Sequence, residues 1–260
     1  MGQVRMKDLM NIVRSASGIM LSGSPPQIAR KRSFTDYTTS ADIAVEDQIK
    51  RELMTLYPSS LVIAEESSLD NYGCDWSGSA FILDPIDGTI NYFHHMGISA
   101  ISLAYMEEGE LLHGLIYDPY RNEMFNATRN EGAFLNGNPI RVSSVRELKN
   151  GLAGFGTSPY SKEKGLEMLH TASKVYVNCQ DLRRLGAAAV DLAYVACGRL
   201  DVFFEKDLKP WDFYAGILII SEAGGRTTDW KGSPVEGLHR QDILAGNNDL
   251  HEAMLDLLNE

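Results

Sequence analysis

Apolar residues recur at helical spacing twice near the start of the chain. Residues 6 to 21 read as an amphipathic helix, closed by the breaker Ser-Gly-Ser-Pro-Pro. In TSADIAVEDQIKRELMTLYP, Thr39 and Asp42 have the spacing of a capping box, and Ile43, Ile49, Leu53 and Leu56 trace an apolar stripe, so a second helix is predicted. The period then shortens. LVIAEE and AFILDP are brief strand-like runs, and ISAISLAYM and LLHGLIYDP, joined through EEGE, read as a strand pair. Asn136-Gly137 inside GAFLNGNPIRVS predicts a tight hairpin turn.

Beyond residue 150 the pattern becomes an alternation. It runs through strand GLAGFG, a helix near 161–173, a long helix in LGAAAVDLAYVACG, strand DVFFE, helix WDFYAGILIISEAGG, and a closing strand and helix. Neither repeats nor low-complexity tracts interrupt it. These elements predict a layered mixed α/β protein with an antiparallel-rich α+β part at 1–150 and an α/β part at 151–260. A cleft between the halves is the natural ligand site.

Composition narrows the function classes. With 260 residues, 44% hydrophobic and 23% charged, the chain can bury a large core. Its formal net charge of -11 argues against a nucleic-acid partner, because phosphate backbones are held by basic stripes. A phosphorylated small molecule remains compatible if metal ions reverse the local field. Cys74, Cys179 and Cys197 form no CxxC pair, so neither a disulfide framework nor a zinc site is indicated, which fits a reducing cytoplasm. The opening residues lack a long apolar region, and Met6 stands where a myristoylation pattern needs Ser or Thr. No stretch nears the roughly 18 apolar residues of a membrane helix. A soluble cytoplasmic protein with no membrane partner is expected.

Candidate chemistry lies at the ends of the elements. Asp42 falls in the second helix, Glu65 and Glu66 follow LVIA, Asp84 and Asp87 follow FIL, and Asp212 opens the WDFYAGILIIS helix. Any one of these acids has an ordinary reading as a helix-start residue or a solvated loop. Together, at the mouths of buried elements, they supply the oxygen ligands that Mg²⁺ takes. Two carboxylates left at the end of a buried strand would repel each other and lose hydration. Gly88 and Thr89, turning from that strand into a helix, would add backbone N–H groups for an anion.

DPIDGTINYF resembles the metal-binding signature of the inositol monophosphatase family. AEE at 64–66 is similar to its upstream Glu motif, WDFYAG at 211–216 to its downstream motif, and DYTTSAD at 36–42 and RRLGAAAVDLAYVACGRLDVFFE at 183–205 match in order and spacing. The resemblance covers nearly the whole chain. It implies the αβαβα five-layer sandwich also found in fructose-1,6-bisphosphatases, and a Mg²⁺-dependent, lithium-sensitive phosphomonoesterase, commonly a homodimer. By the same resemblance Glu65, Asp84 and the Ile86 carbonyl would hold one Mg²⁺, Asp84, Asp87 and Asp212 a second, and a third, weaker ion would sit near Glu65. Thr89, hydrogen-bonded to Asp42, would orient and help deprotonate the attacking water, with Glu65 on the catalytic side. The Gly88 and Thr89 N–H groups would grip phosphate, while Asp87, Gly186, Ala188, Glu205 and Asp212 would contact the substrate. Lys31 matches a basic residue near the outer metal. Ala64, Ile90 and Tyr92 depart from the usual Gly, Thr and Phe, but none is a ligand.

Metal-assisted hydrolysis needs no covalent nucleophile, and the chain shows neither a nucleophile elbow nor a P-loop; GFGTS at 154–158 lacks the P-loop lysine. The leading expectation is hydrolysis of a sugar or cyclitol phosphate, with myo-inositol 1-phosphate as reference. Fructose-1,6-bisphosphate, histidinol phosphate and 3′-phosphoadenosine 5′-phosphate are the alternatives. DGTIN lacks the charged continuation of the nucleotide and histidinol types, and Glu205 suits a polyol. A different class of reading is a regulatory or binding protein on the same fold.

Overall fold

Side chains of the strand β4 (Ser79–Asp87) alternate between two cores. Phe81 and Leu83 belong to one that includes Leu9, Val13, Val45, Ile49 and Leu53, whereas Ala80 and Ile82 belong to another that includes Leu192, Phe213 and Ile219. Successive residues of a strand face opposite ways, so a strand apolar at every position must be covered on both sides. One cover is the pair α1 (Met6–Met20) and α2 (Ser40–Leu56); the other is α5 (Ala188–Ala196) and α6 (Pro210–Glu222).

The computed structural model describes residues 4–22, 27–31, 37–67, 78–158 and 161–259. Residues 23–26 of the breaker, Asp36, Cys74 and the Lys31 side chain lie outside that description. Among the described residues a seven-stranded sheet runs in chain order through β3 (Leu61–Ala64), β4, β5 (Ala100–Glu107), β6 (Glu110–Asp118), β7 (Glu123–Thr128), β8 (Gly132–Leu135) and β9 (Asn138–Pro139). Only β3 and β4 pair in parallel within it. A five-stranded sheet has the order β11 (Asp181–Arg183), β10 (Leu152–Phe155), β12 (Val202–Leu208), β14 (Gln241–Gly246) and β13 (Arg226–Thr228). A two-stranded ribbon of β1 (Ile28–Lys31) and β2 (Tyr37–Thr39) precedes α2.

β12 repeats the logic of β4. Phe203 packs into the core of α5 and α6, while Val202 and Phe204 face a third core with Met168 and Val175 of α4 (Lys162–Tyr176) and Leu250 and Met254 of α7 (Asn248–Asn259). The result is helices, sheet, helices, sheet, helices, which is the expected five-layer αβαβα sandwich.

Several local expectations hold and others shift. Thr39 and Asp42 form the capping box of α2. Asn136 and Gly137 carry φ of 51° and 80°, as a type I′ turn requires. The buried stripe of α2 is Ala41, Val45, Ile49 and Leu53, whereas Leu56, the last residue of the helix, is 51% exposed. The long helix expected from Leu185 begins only at Ala188, since Gly186 is left-handed with φ 81°. The strands β1, β2, β7 and β11 escape a period-based reading: three are only three or four residues long, and β7 mixes polar residues into its run.

Phe203 has no exposed surface at the junction of sheet and middle helices. Phe203→Ala should therefore cost about 3–5 kcal/mol, from lost transfer energy plus an uncollapsed cavity. Urea unfolding, with the slope m checked for constancy, measures it; a loss under about 1 kcal/mol would mean that the layers repack freely.

Candidate active site

The register between β4 and β5 slips where the two aspartates stand. Asp84 pairs with Ser102 and Asp87 with Ala100, so three steps along β4 span two along β5. This is a β-bulge at Pro85 and Ile86, a position where proline's missing N–H costs no ladder bond. Opposed residues share a face, and Ser102 faces α6, its hydroxyl donating to the Trp211 carbonyl at 3.0 Å. In a regular strand, residues three apart point to opposite sides. The bulge instead turns Asp84 and Asp87 toward the same middle helices.

Those helices present their N-terminal ends. Asp87 accepts N–H bonds from Ala188 at 3.0 Å, Ala189 at 2.9 Å and Val190 at 3.3 Å, the unsatisfied amides of the first turn of α5. Asp212 opens α6, where it accepts the Lys209 N–H at 2.7 Å, with Pro210 pre-set for the first helical position. Glu65 follows β3 and meets the Lys209 ammonium at 3.1 Å. Asp84 accepts the Ile86 N–H at 3.0 Å.

Gly88 follows Asp87 with φ 81°, and a Cβ there would lie 2.9 Å from the Ala187 Cβ and 3.1 Å from the Ile98 carbonyl. Only glycine fits that turn. It leads into the short helix α3 (Thr89–Phe93), whose Thr89 hydroxyl lies 3.3 Å from Asp42 Oδ1 and 3.1 Å from the Ile86 carbonyl. Asp42 Oδ2 in turn accepts the Thr39 N–H at 2.7 Å and the Thr39 hydroxyl.

Burial dominates the electrostatics. It raises Asp84 well above the usual carboxylate range, helped by Glu65, Asp87, Asp212 and Asp42. Asp212 is likewise raised by burial and by Glu65, against the opposing pull of Lys209. Burial lifts Asp87 and Asp42 to about 7, although hydrogen bonds from the α5 amides and from Thr39 oppose it. Burial would depress Lys209, but Glu65 and Asp212 hold it raised and charged.

A single pocket is lined by Glu65, Asp84, Ile86, Asp87, Gly88 and Thr89, together with Gly186, Ala188, Glu205 and Asp212. Asp42 stands behind it, reached through Thr89. His94 and His95 are exposed and take no part. Lys209, which no motif singled out, is the buried counter-charge of Glu65. Its signal was its place in Lys-Pro-Trp-Asp, one proline and one tryptophan before Asp212. Gly156 and Arg184 also line the pocket; no periodicity marks either residue.

The profile described as the inositol monophosphatase family matches residues 5–260. The chain belongs to the inositol monophosphatase family. It is similar to the Nus factor SuhB of Escherichia coli K12, at 39% identity over 87% of this chain and 84% of that one. It is similar to the inositol monophosphatase of Dictyostelium discoideum, at 36% identity over 86% and 83%. Among solved structures, the extragenic suppressor protein suhB of Bartonella henselae superposes with a TM-score of 0.88 at 34% identity, covering 98% of both chains.

For a member of this family the fit of a divalent cation can be judged from the donors. Among the described residues no three Asp, Glu, His or Cys side chains stand as a ready-made metal site. The donors are nonetheless all oxygen and line one pocket, burial raises Asp84, Asp87 and Asp212 above the usual carboxylate range, and the Lys209 ammonium already rests against Glu65. That is the chemistry of a hard cation, and the residues fit one in kind. No described helix is long and apolar enough to cross a membrane.

Deeper in α5, Asp191 is 1% exposed, and its Oδ1 has no hydrogen-bond partner among the described residues. Burial, then Glu205 and Asp87, raise it well above the usual carboxylate range. The folded protein therefore holds a proton that the unfolded chain releases, so this residue lowers stability progressively as pH rises above the unfolded value of about 4. Asp191→Asn removes that dependence. In chelator, its melting temperature should match wild type near the acid end and exceed it increasingly toward pH 8; a constant difference across that range would mean that Asp191 stays ionised in the fold.

Proposed function

We propose that this protein is a Mg²⁺-dependent phosphomonoesterase acting on a polyol or sugar phosphate, with myo-inositol 1-phosphate the reference substrate. The observation that carries the reading is one pocket holding a carboxylate cluster on one wall and a threonine hydroxyl tied to a buried aspartate on another. Family membership and the name of the Dictyostelium relative support it. Mg²⁺ would be held by Glu65, Asp84 and the Ile86 carbonyl, and by Asp84, Asp87 and Asp212, two or three ions in all. When bound, it would supply positive charge for the phosphate and lower the pKa of water.

The chain's own residues account for the proton. Asp42, fixed by Thr39 and lifted to about 7, can accept the Thr89 hydroxyl proton near neutral pH, and Thr89 Oγ then takes one from the attacking water. The water oxygen bonds to phosphorus as the bond to the alcohol oxygen breaks, and that oxygen leaves with a proton from solvent. The Gly88 and Thr89 N–H groups would hold the phosphate oxygens. On the alcohol side stand Asp87, Gly186, Ala188 and Glu205. Fructose-1,6-bisphosphate, histidinol phosphate and 3′-phosphoadenosine 5′-phosphate are the competing substrates within the same chemistry.

The name Nus factor, borne by the E. coli relative, supports a second reading, a binding or regulatory role on the same fold. A net charge of -11 supports contact with a protein rather than with nucleic acid directly. We also read the protein as a cytoplasmic homodimer.

In Mg²⁺, wild type should release phosphate from an aryl phosphate and from inositol 1-phosphate, and a chelator should stop both. Asp84→Asn should nearly abolish turnover, since it weakens both ion positions with little change of volume. Wild-type kcat in that variant would remove Asp84 from the reaction, and no turnover of any phosphate would leave the binding role.

Thr89→Ala should lower kcat by roughly 10²- to 10⁴-fold. Asp42→Asn should act on the same step, leaving the double variant hardly worse than the weaker single one. Fully multiplicative losses would break the pair.

A further inference from the structure

The glycine-rich run Gly154-Phe155-Gly156-Thr157-Ser158 has no phosphate-binding lysine, and β10 shows what its glycines do instead. Phe155 points to the outer core, so Gly154 and Gly156 share the inner face. Gly156 extends the pairing by one residue, its N–H donating to the Phe204 carbonyl at 3.3 Å. Glu205, next on β12, also points inward, as Phe203 does. Its carboxylate folds across the neighbouring strand and occupies the space that a side chain at 156 would fill: a Cβ there would lie 1.8 Å from Cδ and Oε2 and 2.1 Å from Oε1.

The next residues hold that carboxylate. The Ser158 N–H donates to Glu205 Oε1 at 3.0 Å. Ser158 is left-handed, with φ 44°, a conformation that residues with a side chain rarely adopt. Its hydroxyl donates to the Lys206 carbonyl at 2.6 Å, pinning the turn to the strand that carries Glu205. Thr157 Oγ1 accepts from Arg184 at 3.1 Å, which ties the turn to the pocket-lining residue that follows the neighbouring strand β11. Strained backbone persists where its surroundings over-determine it, and such positions gather at ligand sites.

We propose that Gly156 and Ser158 are positioning residues for Glu205, seating its carboxylate on the pocket wall where it meets a hydroxyl of a polyol phosphate. This rests on the hydrolase reading for the identity of the substrate, but not for the seating itself. The backbone N–H groups of this glycine-rich turn serve a carboxylate of the protein, not a phosphate of the ligand. Substrate selection then depends on a residue with no side chain.

Gly156→Ala tests it. The atoms in the way are the end of a flexible side chain, so the carboxylate is expected to leave its seat while the backbone stays. The ratio of kcat/KM on inositol 1-phosphate to that on an aryl phosphate should fall about tenfold or more, chiefly through KM, the scale of one charged hydrogen bond. Glu205→Ala should lower the ratio as far, and the double variant no further. Equal loss on both substrates, or multiplicative losses in the double variant, would overturn the proposal. Should Gly156→Ala fail to fold, the double variant, with no carboxylate to displace, should fold; failure of both would also overturn it. The dissociation constant of inositol 1-phosphate, measured by calorimetry with Ca²⁺ in place of Mg²⁺, separates the two readings. If wild type hydrolyses neither phosphate, the hydrolase reading falls, while an approximately tenfold weaker binding in Gly156→Ala sustains the seating and unchanged binding overturns it.

Discussion

Like charges taken out of water in one place set the terms for the rest of this molecule. Glu65 after β3, Asp84 and Asp87 of β4, and Asp212 of α6 come from three places in the fold and meet at one pocket. Each is offset differently. Three amides of α5 hold Asp87, one amide at the start of α6 holds Asp212, and an ammonium holds Glu65. Among the described residues Asp84 accepts one N–H, and it feels the other acids around it. The place where neutralisation by the protein is thinnest is therefore the place where a cation would stabilise most, since isolated buried charge is the costliest arrangement a fold can carry.

The layers make this concentration of charge tolerable. α5 and α6 lie between two sheets, and both direct their N-terminal ends at the pocket, so their dipoles oppose the acids. The bulge in β4 adds the third condition by turning two aspartates to one face. None of these elements is a loop free to adjust. Groups mounted on packed strands and helices keep their spacing, as a site that must act without reorganising requires.

Behind the main cluster a second pair of acids repeats the theme. Asp191 and Glu205 sit over Gly154 and Gly156, two positions on one face of β10 where a missing side chain leaves room for a carboxyl group. Burial lifts Glu205 to about 7, with the Ser158 and Thr157 N–H groups and Arg184 pulling the other way. The two glycines thus do for the five-stranded sheet what the bulge does for the seven-stranded one. Each makes space for charge in a wall that is otherwise apolar.

Periodicity and capping residues alone determined α1, α2, β4, the β5–β6 pair and the Asn136-Gly137 hairpin, because their signals are local: a helical stripe, a capping box, an alternating run, a turn that needs positive φ. Ordered motifs likewise marked Asp84, Asp87, Gly88, Thr89 and Asp212 before any coordinate. The short strands β1, β2 and β11 stayed illegible, each having too few residues to show a period. So did Lys209, whose meaning is its contact with Glu65, 144 residues away, and Gly156, whose meaning is a carboxylate from another strand. A residue's local pattern records the conformation of its own backbone. Which charge is paired, which space is filled and which face an aspartate points to are decided by long-range packing, and here that packing sets the chemistry.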